Sequence, residues 1–245
     1  MSIFMAELLG TALMILLGNG VVATCCLKNT KHDKNGNWMI ITTAWAFAVF
    51  VGVIVAGPIS GAHLNPVVTI TFALTNAVAW KLVPQYLMGE FIGAMVGAFL
   101  VWIVYKDHFK ITEDESAKRA CFCTEPAIRN YVSNFISEFT ATFVLIFTIL
   151  HITGANIHLT IDPNANIGLG SIGALPVAIL VWVLGLSLGS TTGYAMNPAR
   201  DLGPRIVLFL LPLKVKIDWK YSWIPILAPL CGGVVATFLH MFLSS

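Results

Sequence analysis

Long apolar stretches separated by short polar segments dominate this chain. Six of them reach the length of about 18 residues or more that a helix needs to cross a bilayer. They predict spans near residues 3–27, 38–57, 82–105, 131–153, 172–189 and 222–242. Two further apolar segments, near 66–78 and 198–210, are too short to cross and predict half-helices within the membrane.

Each short segment begins with the dipeptide Asn-Pro, as Asn65-Pro66 and as Asn197-Pro198. Asn is a favoured N-cap, and Pro fits the first helical position because no backbone donor is needed there. A glycine-containing stretch that suits a helix poorly precedes each motif. Non-helical backbone at membrane depth is tolerated only where it is buried or lines a polar cavity. The two motifs therefore predict a pore or binding site near the membrane midplane.

The two halves of the sequence resemble each other. Glu7 precedes Asn65 by 58 positions, and Glu138 precedes Asn197 by 59. Each half holds three spans and one half-helix, and because three is odd the second half must be inverted relative to the first. We predict a single domain over 1–245, built from a first repeat at 1–105, a charged connecting loop at 106–130 and a second repeat at 131–245.

Composition agrees with a membrane protein and excludes several other classes. Hydrophobic residues make up 57% of the chain and charged residues 11%, which is too apolar for a soluble globule of this size. A net charge of +2 without a basic run predicts no nucleic-acid partner. Of the five cysteines, the pair Cys121 and Cys123 lacks nearby partner ligands, and no nucleophile–base set is evident, so we predict no metal, no cofactor and no enzymatic activity.

The stretches around the two motifs are SGAHLNP at 60–66 and GYAMNPARD at 193–201. Through them the sequence resembles the aquaporin superfamily, and the resemblance extends over essentially the whole chain. Asp201 directly after Arg200 is typical of its glycerol-facilitator, or aquaglyceroporin, branch. Val67 departs from the family, which usually has Ala there. The resemblance implies an all-α membrane protein with six transmembrane helices and two re-entrant half-helices in an inverted repeat.

The resemblance also implies which side chains meet the solute. The narrowest ring, the selectivity filter, would be formed by Trp45, Gly185, Tyr194 and Arg200. Trp45 lies 20 positions before Asn65 and Gly185 lies 12 before Asn197, which matches the family spacing. The pore midplane would be formed by Asn65 and Asn197, and the rest of the lining by His63, Leu64, Ala195 and Met196.

Elementary chemistry supports these assignments. A charge at membrane depth costs about 2.5–3.5 kcal/mol on insertion scales, so a water-filled mouth explains Arg200 better than packing does. The apolar faces of Trp45 and Tyr194 suit the carbon backbone of a polyol. Asn65 and Asn197 can donate to a passing hydroxyl, while the positive ends of two half-helices oppose cations.

Two carboxylates occupy equivalent spans, Glu7 in the first half and Glu138 in the second. They could form a proton relay, or they could accept backbone donors from the broken loops. Their symmetric placement favours the scaffold interpretation. We expect structural roles as well for Pro66, Pro198 and Asp201, the last because the helix dipole favours a carboxylate in the first turns.

The sequence thus predicts a passive channel for glycerol and similar small neutral solutes, together with water, that excludes ions and protons. The alternatives are a mainly water-conducting pore and, less favoured, a proton-coupled transporter. The relative permeability to glycerol, water, urea, lactic acid and hydrogen peroxide is not predicted. The resemblance further implies a homotetramer embedded in the lipid of the plasma membrane.

The orientation in the membrane has two conflicting indications. The family places both termini in the cytoplasm, and we predict the same here. Basic residues nevertheless concentrate in segments 28–34, 106–129 and 214–220, all of which would then lie outside. The positive-inside rule alone would invert the protein.

Overall fold

The computed structural model describes residues 1–32, 38–154 and 168–244, and all regular elements in these ranges are helical. Lys34, which was counted among the basic residues above, lies outside them. The helices are α1 (Ile3–Cys26), α2 (Trp38–Ser60), α3 (Pro66–Leu74), α4 (Val83–Val104), α5 (Lys106–Ile111), α6 (Glu115–Ala120), α7 (Tyr131–Ile149), α8 (Leu175–Leu188), α9 (Pro198–Leu210) and α10 (Ile224–Leu243). Short 3₁₀ turns lie at Trp80–Leu82, Gly170–Ala174 and Gly189–Thr191.

Six helical segments of the described chain are long and apolar enough to cross a membrane: α1, α2, α4, α7, α8 and α10, with the 3₁₀ turns adjoining α4 and α8. The half-helices α3 and α9 start at Pro66 and Pro198, as the sequence predicts. This is the predicted architecture of six transmembrane helices and two re-entrant half-helices in an inverted repeat.

Small residues bring the equivalent helices of each repeat into close contact. In the first repeat α4 packs on α1, and a Cβ atom at Gly93 would overlap the carbonyl oxygen of Leu8. In the second repeat α10 packs on α7, and a Cβ at Gly232 would overlap the carbonyl oxygen of Phe139. Any larger residue at these two glycines would push the helices apart, which is why the repeats share small residues there.

Several predicted boundaries need adjustment, including that of the half-helix predicted over 66–78, which ends at Leu74. The span predicted over 131–153 ends as a helix at Ile149, and the one predicted from residue 172 starts its α-helix at Leu175 after a 3₁₀ turn. The loop predicted at 106–130 contains α5 and α6. Asp114 caps α6 by accepting from the backbone of Ser116 and Ala117, a local polar signal that an apolar pattern cannot reveal.

Candidate solute pathway

A cavity of about 320 Å³ runs through the centre of the molecule, where the N-termini of α3 and α9 meet. Carbonyl-bearing loops and capping side chains of both repeats line it, together with apolar side chains of the long helices. The cavity lining includes most of the predicted pore residues, namely Trp45, His63, Leu64, Asn65, Tyr194, Ala195, Met196, Asn197 and Arg200. The sequence motifs therefore meet at one place in the fold.

Asn65 and Asn197 each join the two repeats. The Oδ1 atom of Asn65 accepts from the backbone N–H of Val67 and so caps α3, while its Nδ2 donates to the carbonyl of Met196 at 2.9 Å. Asn197 caps α9 in the same way, and its Nδ2 donates to the carbonyl of Leu64 at 2.7 Å. Each amide has a second N–H, which remains as a donor at the cavity wall.

The loops before the half-helices are braced by the two buried glutamates. Glu7 accepts from the backbone N–H groups of His63 and Leu64 at 3.0 and 2.7 Å. Glu138 accepts from those of Ala195 and Met196, both at 2.9 Å. Neither carboxylate lines the central cavity. This geometry favours the scaffold interpretation of the pair over a proton relay.

These loops hold unusual backbone conformations that the glutamates help to maintain. Positive φ angles recur at Ala62 and Leu64 in the first repeat and at Tyr194 and Met196 in the second. Non-glycine residues pay about 1–3 kcal/mol each for such conformations, so they persist only where surrounding contacts impose them. Because the chain is not helical here, the carbonyl oxygens of Leu64 and Met196 can accept from the side chains of Asn197 and Asn65.

Three side chains separate the central cavity from a second one of about 540 Å³. Trp45, Tyr194 and Arg200 line both cavities, so they form the boundary between them. The guanidinium carbon of Arg200 lies 4.4 Å from the centre of the Trp45 ring. Nη1 of Arg200 and the Tyr194 hydroxyl are buried and lack hydrogen-bond partners within the described residues.

Gly185 lines neither cavity and affects this boundary only through its contact with Tyr194. It is buried, and a Cβ there would lie 3.0 Å from Cζ of Tyr194 and 2.9 Å from Cγ2 of Thr42. The missing side chain thus makes room for the tyrosine ring. The carbonyl of Gly185 accepts from the Trp38 indole at 2.9 Å, and Trp38 in turn contacts Tyr194 edge-on.

Asp201 does not line the central cavity, and it organises the loop that contains Thr124. It pairs with Arg205 one turn later at 2.8 Å, with both side chains fully buried, and also accepts from the backbone and hydroxyl of Thr124 at 2.7 Å. Arg205 donates to the carbonyl of Thr124 at 3.0 Å. This network fixes a loop residue that lines the second cavity beside Arg200.

Sequence reasoning missed Glu90 and Thr124 and did not assign a role to Arg205. Glu90 is fully buried and accepts from Thr69, a residue of α3. Its only sequence signal is a lone acidic residue in an apolar span, which was available but unused. Thr124 has no such signal, because its partner Asp201 lies 77 positions away. No metal-binding group of three or more ligands occurs among the described residues.

A bundle of six membrane-length helices, with two half-helices meeting at a central cavity, defines a membrane channel. The model of the family described as "Major intrinsic protein" matches residues 1–240. The chain therefore belongs to the major intrinsic protein family.

Individual relatives point in the same direction. The chain is 45% identical over 245 residues to the "Probable glycerol uptake facilitator protein" of Thermotoga maritima, covering 99% of this chain and 100% of that protein. It is 46% identical over 235 residues to the "Glycerol uptake facilitator protein" of Streptococcus pneumoniae, covering 95% of each. Among solved structures, the aquaglyceroporin from Plasmodium falciparum matches with a TM-score of 0.80 at 27% identity, over 97% of this chain and 93% of that one.

Proposed function

We propose that this protein is a passive channel for glycerol and other small neutral solutes, with water, and that it excludes ions and protons. The observation that carries the proposal is the boundary between the two cavities, where Trp45 and Tyr194 present apolar rings and Arg200 presents a cation. An amphipathic polyol fits such a boundary because its carbon backbone and its hydroxyl groups face opposite sides. The glycerol facilitators named among the relatives support this choice of solute.

The proposed filter comprises Trp45, Gly185, Tyr194 and Arg200. At the midplane, Asn65 and Asn197 would donate to the solute oxygen, with His63, Leu64, Ala195 and Met196 lining the remainder. Two half-helix N-termini meeting there contribute roughly half a positive charge each, which opposes cations. Arg200 adds a full charge at the mouth.

Stopped-flow light scattering on proteoliposomes tests the proposal. Vesicles containing the protein should equilibrate glycerol much faster than empty vesicles, with a flux that does not change when a pH gradient or an ionophore is applied. A mainly water-conducting pore would accelerate water alone. A proton-coupled transporter would lose flux when the proton gradient is dissipated, and Glu7 or Glu138 would then need a role beyond bracing.

We further propose a homotetramer with one pathway in each chain, arranged as repeats 1–105 and 131–245 joined by the loop 106–130. Large apolar side chains such as Phe47, Val104 and Phe238 are exposed on the outside of the single chain, where neighbouring chains or lipid would cover them. A detergent-corrected mass of four chains is expected. A single-chain mass with full glycerol flux would reject the assembly while leaving the channel intact.

The proposed location is the plasma membrane, with both termini in the cytoplasm. This orientation places the basic loops on the outside, which contradicts the positive-inside rule. In intact cells, a Ser2→Cys variant in which the five native cysteines are replaced by alanine should resist a membrane-impermeant thiol reagent until the cells are permeabilised. A Glu113→Cys variant, in the loop before α6, should react at once. The reverse pattern would establish the inverted orientation.

A further inference from the structure

His63 offers one ring nitrogen to the pathway and one to the protein. Its ring stacks on Tyr86 with centroids 4.2 Å apart and lies against Phe72 at 5.1 Å, which fixes its plane. Nδ1 lies 2.8 Å from the hydroxyl of Thr69. The one side-chain hydrogen bond of His63 within the described part of the chain is that of Nδ1, and His63 lines the central cavity, so Nε2 is the atom available to a solute.

Thr69 links this histidine to a carboxyl group that the channel mechanism has not used. The Thr69 hydroxyl donates to Oε1 of Glu90 at 2.7 Å, and both side chains are fully buried. The backbone N–H of Asn65 faces the same carboxyl group. Two donors therefore point to Glu90, and in its ionised form this carboxylate can only accept. No ion pair of Glu90 occurs among the described residues; the other ionisable groups near it are Glu7 and Tyr86.

The protons available to the hydrogen bonds from Glu90 through Thr69 to His63 determine which nitrogen of His63 is protonated. A threonine hydroxyl has a single proton, and beside an ionised Glu90, which can only accept, the proton of Thr69 is given to the carboxylate. Toward His63 the hydroxyl oxygen can only accept, so Nδ1 must carry a hydrogen. A neutral imidazole has one N–H, and Nε2 is then a bare lone pair.

We propose that Glu90 is a positioning residue that, acting through Thr69, holds His63 in the tautomer whose Nε2 accepts hydrogen bonds from hydroxyl groups in the pathway. The proposal rests on the glycerol-channel function above and deepens it. A polyol would meet donors at Asn65 and Asn197 and an acceptor at His63. Each of its hydroxyl groups is both a donor and an acceptor, so this alternation lets it exchange partners without losing a bond.

The second repeat lacks this arrangement, which makes it specific to one side of the midplane. Ala195 stands two residues before Asn197, as His63 stands two before Asn65. Asp201 stands four residues after Asn197, where the first repeat has Thr69, and it is engaged with Arg205. The pathway is therefore chemically asymmetric although the backbone is repeated.

Nitrogen-15 NMR of histidine-labelled protein in lipid tests the tautomer directly. Spectra at pH 8 keep an ordinary imidazole neutral, and the His63→Asn variant identifies the signal. The parent should show a protonated Nδ1 and a bare Nε2. Glu90→Leu frees the Thr69 hydroxyl to donate to Nδ1, so a population with protonated Nε2 should appear. Glu90→Gln is the matched control, since its amide oxygen can still accept from Thr69 and should preserve the parental spectrum.

Flux provides a second readout from the same variants. Glu90→Leu should lower glycerol permeability relative to water permeability by about 3- to 10-fold, the effect of one lost hydrogen bond, and Glu90→Gln should restore the parental ratio. Thr69→Val, which keeps the shape of the side chain, should lower the ratio of glycerol to water permeability as Glu90→Leu does. It takes the place of Glu90→Leu if that variant does not fold.

Two results would overturn the assignment: a parental His63 with protonated Nε2, or leucine and valine variants whose tautomer does not change. The tautomer measurement does not depend on glycerol transport. A parent that fails to conduct glycerol while showing the bare Nε2 would therefore count against the proposed function and leave the positioning role of Glu90 in place.

Discussion

The side chain of Asn197 donates to the main-chain carbonyl of Leu64 at 2.7 Å, across the point where the two half-helices meet. In the opposite direction, the side chain of Asn65 donates to the carbonyl of Met196 at 2.9 Å. Each asparagine thus caps its own helix with its oxygen and joins the other repeat with its nitrogen. A residue that only caps would need the oxygen alone, so the requirement for an amide comes from the contact between repeats.

Asn197→Asp separates these two duties. The carboxylate can still cap α9, but it has no N–H to give to Leu64 or to a solute, and it places a negative charge between two positive helix ends. We expect glycerol flux to fall about tenfold or more, because the carbonyl of Leu64 is left as an unpaired buried acceptor. We expect cation exclusion to weaken because of the added negative charge. Vesicle flux and planar-bilayer conductance measure the two effects. Asn65→Asp should behave alike, and a parental glycerol flux in both variants would contradict the shared role.

Arg200→Ala tests the charge at the boundary of the two cavities. Removing the guanidinium beside Trp45 widens the boundary and removes the local positive charge, so cation conductance should rise and water flux should not fall. Arg129→Ala is the matched control, because that arginine pairs with Asp218 at the surface. Conductance of reconstituted bilayers checks the prediction. Equal leak in the two variants would remove Arg200 from the proposed filter.

Sequence patterns predict the helices better than they predict what connects them. The Asn-Pro motifs locate both half-helices because capping and the proline ring act locally, and the observed starts at Pro66 and Pro198 match. The loop at 106–130 was predicted only as a charged linker. Its Thr124 contacts Asp201, which is distant in sequence, and such a contact depends on how the helices pack.

The predicted filter shows the same limit. The sequence places Gly185 in the filter but does not reveal that the ring of Tyr194 occupies the space that this glycine leaves. A glycine in a helix indicates that another group packs closely against the helix, but it does not identify that group. The pairing of His63 with Thr69 and Glu90 was also out of reach, since two of the three residues lie on separate helices and only their packing brings them together.

Asp201→Asn tests the buried pair that secures the loop containing Thr124. Losing the carboxylate leaves Arg205 charged and unpaired in a fully buried position, and breaking such a pair costs about 3–5 kcal/mol. We expect a clear fall in the thermal unfolding temperature of the detergent-solubilised protein. The double variant Asp201→Asn with Arg205→Met should recover part of the loss, since no unpaired charge remains. An additive double variant would indicate that the two side chains are not coupled.

Tyr194→Phe removes one buried hydroxyl that has no partner within the described residues. The ring should keep its place between Gly185 and Trp38, so the apolar side of the boundary persists. Because an unpaired buried hydroxyl is destabilising, thermal stability should be equal or higher, by up to about 1 kcal/mol. Glycerol flux should be equal or higher, and water flux should change less. A large loss of both fluxes would mean that the hydroxyl binds something essential.

Gly185→Phe should have the opposite effect on glycerol. A side chain there meets Thr42 and the Tyr194 ring at about 3 Å before its own ring is placed, so Tyr194 must move toward the pathway. The boundary narrows, and glycerol permeability should fall far more than water permeability. Gly20→Phe is the control, since a Cβ at that helical glycine meets no atom within 4 Å. Misfolding would lower both fluxes together, whereas a parental glycerol rate in Gly185→Phe would show that the Tyr194 side of the boundary does not limit the solute.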